Sequence, residues 1–266
     1  MENQQQAPAS VQASDTASLA DELRQRRDQL GIADRPGATL LADLGRRILE
    51  RQVVESDQAE LAEAEARKKR REHNERLGKL IRQAGERYAN CRLENFVIVT
   101  DSQRKVAQAC LDYLTRPNKT EGLVLYGPCG TGKDHLAFAI AGQLTWEGAS
   151  VEWMYGQDWF GQVRDAMDGD TTEASLVRYL CHPDITVISD PLPPIGNLTP
   201  HQATMLYRVV QGRYQSGKPT IVTVNVSSDQ EADERLGVPT WDRLCDGAWK
   251  IQCNWPSHRK PAREVR

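Results

Sequence analysis

Residues 121–140, Glu-Gly-Leu-Val-Leu-Tyr-Gly-Pro-Cys-Gly-Thr-Gly-Lys-Asp-His-Leu-Ala-Phe-Ala-Ile, run from an apolar strand through a glycine-rich turn into an amphipathic helix. A phosphate cradle needs its parts in that order. Gly127, Gly130 and Gly132 can adopt backbone angles closed to other residues, which lets successive N–H groups point at a polyphosphate. Pro128, Cys129 and Thr131 complete the loop, and Lys133 supplies a point charge for the outer phosphates. The helix that begins there, with Asp134 and His135 in its first turn, adds the field of its positive end. The standard pattern is Gly-x4-Gly-Lys-Ser/Thr, whose hydroxyl binds magnesium. Here Asp134 stands in the hydroxyl's place, so the stretch predicts nucleotide binding with slow turnover.

Strands and helices alternate around this stretch. Residues 97–99 read as a short extended piece, 103–114 as a helix and 151–155 as a strand. Residues 158–167 and 173–180 read as two short helices, 185–189 as a strand, 199–216 as a long helix and 220–224 as a strand. The alternation predicts an α/β fold, a mostly parallel sheet flanked by helices. In such a sheet a ligand sits beyond the carboxyl ends of the strands, where the glycine loop, Asp190 and Asn225 all fall.

The first 87 residues have a different texture. Residues 1–16 are rich in Gln, Ala and Ser and read as a disordered tail. Residues 17–87 read as a helical partner-binding region and linker. Leu19, Leu23 and Leu30 share one stripe, Pro36-Gly37 interrupts it, and Leu40, Leu41, Leu44, Ile48 and Leu49 form a second. Stripes this thin suit docking on another molecule better than an independent core. Between residues 55 and 82 Ala, Glu, Lys and Arg dominate, including Arg67-Lys68-Lys69-Arg70-Arg71. That run suits either a solvated linker helix or a nucleic-acid patch. Residues 88–266 form the third region, the α/β domain.

The whole chain, 266 residues with a formal net charge of −3, holds one sizeable domain plus an appendage. Its six cysteines are scattered singly, without zinc or redox spacing, and read as reduced thiols. No run approaches the roughly 18 apolar residues of a membrane span, so a cytoplasmic protein with no membrane partner is expected. The acidic balance argues against a general nucleic-acid coat, although residues 259–266 are locally basic.

Two further strands complete the expected site. Ile185-Thr-Val-Ile-Ser-Asp190 ends a buried strand in a carboxylate, the arrangement by which nucleotidases hold magnesium. Catalytic versions generally place Glu next, as the base that orients water, whereas this chain has Pro191. Thr220-Ile-Val-Thr-Val-Asn225 ends in an amide able to bond a phosphate or position water. Trp241-Asp-Arg-Leu244 and Ser257-His-Arg259 each supply an arginine, the residue suited to stabilising phosphoryl charge.

In this order the motifs, with Leu206-Tyr-Arg-Val-Val-Gln-Gly-Arg-Tyr214 between them, resemble the DnaC-type helicase loaders and the IstB-type transposition helper ATPases, both AAA+ families. The resemblance spans residues 88–260. It implies ATP and Mg2+ as cofactors, with Lys133 on phosphate, Asp190 and Asp134 near the metal, and Asn225 as first sensor. It further implies that Arg243 is a finger reaching a neighbouring subunit's nucleotide and Arg259 a second sensor within the same subunit. The helices between residues 158 and 180 lie where these families contact single-stranded DNA, which makes Arg164 and Arg178 the candidates for phosphate contact. The implied function is delivery of a replicative helicase to single-stranded DNA, with the N-terminal helices gripping the helicase and self-association through the ATP interfaces. Two alternatives share the core: a transposition helper that recruits a transposase, and a nucleotide-binding regulatory module that never hydrolyses.

Overall fold

The computed structural model describes residues 36–166 and 171–259 together with residues 25, 26 and 29, and for most of 36–59 the backbone alone. The expected tail, the stripe at Leu19, Leu23 and Leu30, the end of the helix expected to run to residue 167, and the basic stretch from 260 lie outside the described residues. Two compact units divide the chain, Met1–Ala66 and Arg67–Arg266.

A single long helix, α1 (Pro36–Ala84), carries both the second expected stripe and the expected linker. Pro36 is its first residue, where a missing N–H costs nothing. In the first unit Leu44, Ile48 and Leu61 are exposed. In the second, the basic run from Arg67 to Arg71 lies on a solvated stretch, with Arg71–Glu75 (2.9 Å) and Arg76–Glu72 (3.8 Å) paired one turn apart. The helix ends at Gly85, whose φ of +97° takes the chain out of the spiral while its N–H still donates to Ile81 O.

The remaining elements are α2 (Asp101–Thr115), β1 (Leu123–Tyr126), α3 (Lys133–Trp146), β2 (Val151–Tyr155), α4 (Gly156–Asp165), α5 (Glu173–Cys181), β3 (Ile185–Ser189), α6 (Pro200–Gln215), β4 (Thr220–Val224), α7 (Asp229–Leu236), α8 (Val238–Cys245) and β5 (Trp249–Gln252). The five strands form one sheet in the order β2-β3-β4-β1-β5, with every pairing parallel. Residues 97–99 are irregular and exposed rather than a strand of this sheet. The strand residues alternate between two cores. Leu123 and Leu125 join Val187 and Ile221 beneath α2, α3 and the end of α1. Val124 joins Ile188, Val222 and Val224 beneath α4 to α8.

The helix after the glycine loop, expected to be amphipathic, is buried almost all round: Leu136 to Ala141 and Leu144 are all buried. It lies between the sheet and a further helical layer, which leaves no solvent face to make polar. On the other side, Arg213 of α6 is fully buried and donates to the carbonyls of Leu180, Pro183, Asp184 and Pro219 and to Thr220 Oγ1. One guanidinium thus satisfies the backbone where β3 and β4 begin. Burial pulls its pKa down to about 10.

The last turns of α1 belong to the α/β core, which therefore begins before residue 88. Leu80 and Ala84 are buried in it. Glu152 on β2 is buried and accepts from Lys79 Nζ (2.6 Å), Gln83 Nε2 and Tyr179 OH. Partial burial works to lower the pKa of Lys79, but its bond and attraction to Glu152 carry it above the ordinary lysine value. Lys79→Met, which leaves a buried carboxylate with neutral donors alone, should cost about 2 kcal/mol of unfolding free energy. Arg82→Met, on the exposed side of the same turn, should change little, and urea unfolding of both variants checks the difference.

Candidate nucleotide-binding site

The glycine loop leaves the carboxyl end of β1 and is pinned to its neighbours through the main chain. Gly127 N–H donates to Val224 O at the end of β4, and Cys253 N–H donates to Tyr126 O. Gly127, Gly130 and Gly132 have φ of +140°, +81° and +91°. Gly127 and Gly130 are also forced by contact: a Cβ on the first would stand 2.2 Å from Cys253 O, and on the second 2.0 Å from Ser257 Oγ. The expected freedom of these glycines is used to bring the loop against the segment after β5.

Lys133 is buried, and its Nζ donates to Gly127 O (2.9 Å) and Pro128 O (2.7 Å). Burial holds its pKa below the ordinary lysine value, with Cys253, Asp134, Cys129 and Asp190 acting in the opposite sense. An ammonium stripped of water in this way gains most from a phosphate anion. Thr131 Oγ1 donates to Pro128 O (3.0 Å), which closes the turn on itself, and Pro128 and Cys129 form its exposed tip.

Asp134, the next residue, is held by hydroxyls. Its Oδ1 accepts from Thr223 Oγ1 (2.7 Å) and Ser189 Oγ (3.0 Å), and Tyr88 OH lies 3.5 Å from Oδ2. Asp190 follows β3 with φ of +44°, the single non-glycine residue in the left-handed region among those described. Its N–H donates to Thr223 O (3.0 Å) and, more weakly, to Thr223 Oγ1 (3.3 Å). Burial raises its pKa, the charge of Asp134 adds to the rise, and Asn225, Lys133 and Arg235 act against it. Lys133, Asp134, Asp190 and Asn225 therefore lie together at the carboxyl edge of the sheet, with the charges of Lys133 and Asp134 both acting on Asp190.

Several partners at this edge escaped the sequence reading. Arg235 on α7 donates to Asn225 O, Pro193 O and Gly196 O, fixing the loop after Asp190 against the end of β4. Phe96 backs Gly132 and meets the rings of His135 and His258 edge-on. His135, expected in the phosphate-binding turn, bonds Arg92 O and so faces the segment before α2. Trp255 Nε1 donates to Thr131 O (3.0 Å) and His258 N–H to Gly130 O (2.8 Å). A capping signal does mark one of them: Gln103 completes the box that starts α2 and also bonds His258.

The remaining candidates lie apart. Arg259 is exposed one residue beyond His258, next to the loop's outer wall. Arg243 on α8 is bonded to Gln211 and Pro239 O, and its guanidinium lies over the Tyr207 ring. It lines a cleft with Gly122, Pro219 and Ala248, which precede β1, β4 and β5 at the opposite end of the strands from the loop. Arg164 is exposed on α4 beside Asp165, and Arg178 is exposed on α5.

The fold and this edge have known counterparts. Residues 50–265 match the family model of the IstB-like ATP binding proteins. The replicative helicase loader DnaC of Escherichia coli K12 is 29% identical over 178 residues, 65% of this chain and 70% of its own length. An uncharacterised protein of the same strain, YdaV, is 25% identical over 191 residues, 69% of this chain and 75% of its own. Among solved structures, the DnaC helicase loader superimposes with a TM-score of 0.56 at 20% identity, covering 63% of this chain and 99% of that one. DnaI does so with a TM-score of 0.54 at 18% identity, covering 63% and 93%. At these identities the structural matches establish the P-loop AAA+ fold.

Lys133→Ala should weaken ATP binding by about 100-fold, because it removes the buried cation from a desolvated cradle. Stability should change by less than about 1 kcal/mol, since burying the ammonium already offsets its bonds to the loop. Equilibrium titration of ATP, alongside thermal unfolding, checks both.

Proposed function

Since this chain belongs to the IstB-like ATP-binding protein family, we propose that it is an ATP-dependent replication accessory protein that delivers a replicative helicase to single-stranded DNA. The observation that carries this reading is the 29% identity to the replicative helicase loader DnaC, which spans most of the α/β unit. ATP and Mg2+ occupy the edge formed by the loop, Asp134 and Asp190. Asn225 positions the attacked phosphate or its water, and Arg259 approaches from the same subunit. Arg243, turned to the far end of its own strands, acts on a neighbour's nucleotide in a head-to-tail assembly. Exposed Arg164 and Arg178 supply cations for the DNA backbone. The first 66 residues grip the helicase through the face that carries Leu44 and Ile48, apolar side chains one turn apart and open to water.

A second reading, a transposition helper that recruits a transposase, is favoured by the family model itself. The two readings share the ATPase core and differ in partner. Because Leu80 and Ala84 are part of that core, a deletion that tests partner binding must stop at residue 66. The protein lacking residues 1–66 should bind ATP as the full chain does and lose the helicase in a pull-down. Retention of the helicase would move its docking surface onto the α/β unit.

Arg243→Ala should keep ATP affinity and lose ATP-dependent assembly or turnover by about 1,000-fold, the smaller end of the range for a finger arginine. Mixing it with Lys133→Ala should restore part of the activity, since a subunit with a dead pocket can still lend its arginine. Turnover and sedimentation equal to the parent's would remove Arg243 from this role.

A further inference from the structure

A phosphate-loop nucleotidase flanks its magnesium ion with two protein groups: a hydroxyl in the position after the loop lysine, and a carboxylate from the acidic strand that faces it. In this chain both groups are present at those positions, but in exchange. The position after Lys133 carries the carboxylate, Asp134. The strand residue that reaches it carries the hydroxyl, with Ser189 Oγ donating to Asp134 Oδ1 at 3.0 Å. Asp190, the strand-end carboxylate of the sequence pattern, lies one residue beyond the strand, with its N–H held by Thr223 O at 3.0 Å. Its left-handed φ of +44° turns it away from the path of β3. Ser189, the last residue of β3, shares its face with Val187 on the α3 side of the sheet, whereas Asp190 lies beyond the strand.

We infer that this chain holds nucleotide-bound magnesium through an inverted pair, Asp134 as the carboxylate and Ser189 as the hydroxyl, which leaves Asp190 in the place of the acid that orients water. The inference rests on the nucleotide-binding reading above.

Three observations fit the inversion. The exchange conserves the formal charge of the pair, one carboxylate and one hydroxyl. A carboxylate beside a triphosphate is repulsive by itself and becomes favourable with a dication between them. Oδ1 of Asp134 is fixed by Ser189 and Thr223, while Oδ2 has only Tyr88 OH at 3.5 Å, beyond the usual range of a hydroxyl bond, and keeps lone pairs for a metal or its water. Pro191, which the sequence pattern set in the water-orienting place, is buried against Gly156, where an added Cβ would stand 2.2 Å from Pro191 Cα. That position serves packing with the start of α4.

The test is equilibrium titration of the full-length protein with ATP in Mg2+ and in EDTA. Affinity in EDTA reports the cradle, and the ratio of the two affinities reports the metal pair. The parent should bind at least about tenfold more tightly in Mg2+. Asp134→Asn keeps an oxygen acceptor for Ser189 and Thr223, so it should unfold at nearly the parent's temperature, yet its ratio should fall to within about twofold of unity. Asp190→Asn should keep the ratio and lose turnover. The double exchange Asp134→Thr/Ser189→Asp should regain a ratio well above Asp134→Thr alone. Mn2+ in place of Mg2+, followed by its paramagnetic resonance spectrum, should show the same ranking without reference to turnover. A ratio lost in Asp190→Asn as fully as in Asp134→Asn, or a double exchange no better than the single change, overturns the inverted pair while leaving nucleotide binding intact. Absence of binding in either buffer overturns the nucleotide reading and the inference with it.

Discussion

The carboxylate of Asp134, held between the hydroxyls of Ser189 and Thr223, is the constraint on which the geometry of the carboxyl edge depends. It sits in the first turn of a helix buried almost all round, where the helix dipole favours negative charge. Its two hydroxyl partners come from the ends of β3 and β4, so one oxygen fixes the start of α3 against two strands. Thr223 then passes the constraint on, since its carbonyl and hydroxyl both receive the N–H of Asp190. The left-handed turn at Asp190, unfavourable for most side chains, persists because the neighbouring strand specifies it.

The same economy holds around the glycine loop. Lys133 satisfies two loop carbonyls, and the N–H groups of Trp255 and His258 satisfy two more. The wall is assembled from residues far apart in the chain: Phe96 before α2, and Cys253 to His258 after β5. A loop whose carbonyls are occupied leaves its N–H groups as the free polar surface, and that is the polarity an anion needs. Arg213 plays the corresponding part at the opposite end of the sheet, where it satisfies the carbonyls at the starts of β3 and β4. Both ends of the central strands are therefore held by buried cations acting on backbone oxygens, one of which is also placed for a ligand.

The end of α1 couples the long helix to this domain through Glu152, a buried carboxylate on the edge strand β2 that gathers Lys79, Gln83 and Tyr179. Cys110 and Cys253 lie inside, with burial pushing both thiols up to about 12, so neither supplies a thiolate at neutral pH.

What the sequence determined by itself was whatever is encoded by neighbours in the chain. The glycine spacing between Gly127 and Lys133, the apolar runs ending at Tyr126, Ser189 and Val224, and the alternation of strands with helices pointed to the α/β class and to the carboxyl edge that carries the candidate site. Each of these signals is local, and each follows from backbone angles and side-chain period. Tertiary structure decided the rest. The amphipathic reading of residues 133–144 failed because a helix between two layers has no wet face, a fact that no helical period can report. The boundary before residue 88 was drawn at a change of texture, whereas Leu80 and Ala84 lie inside the core because of what packs on them. The partner of Asp134 could not be read at all. Ser189 and Asp190 are adjacent in sequence, and only the pairing of β3 between β2 and β4 sets which of the two faces α3, because a one-residue shift in a strand reverses every side chain.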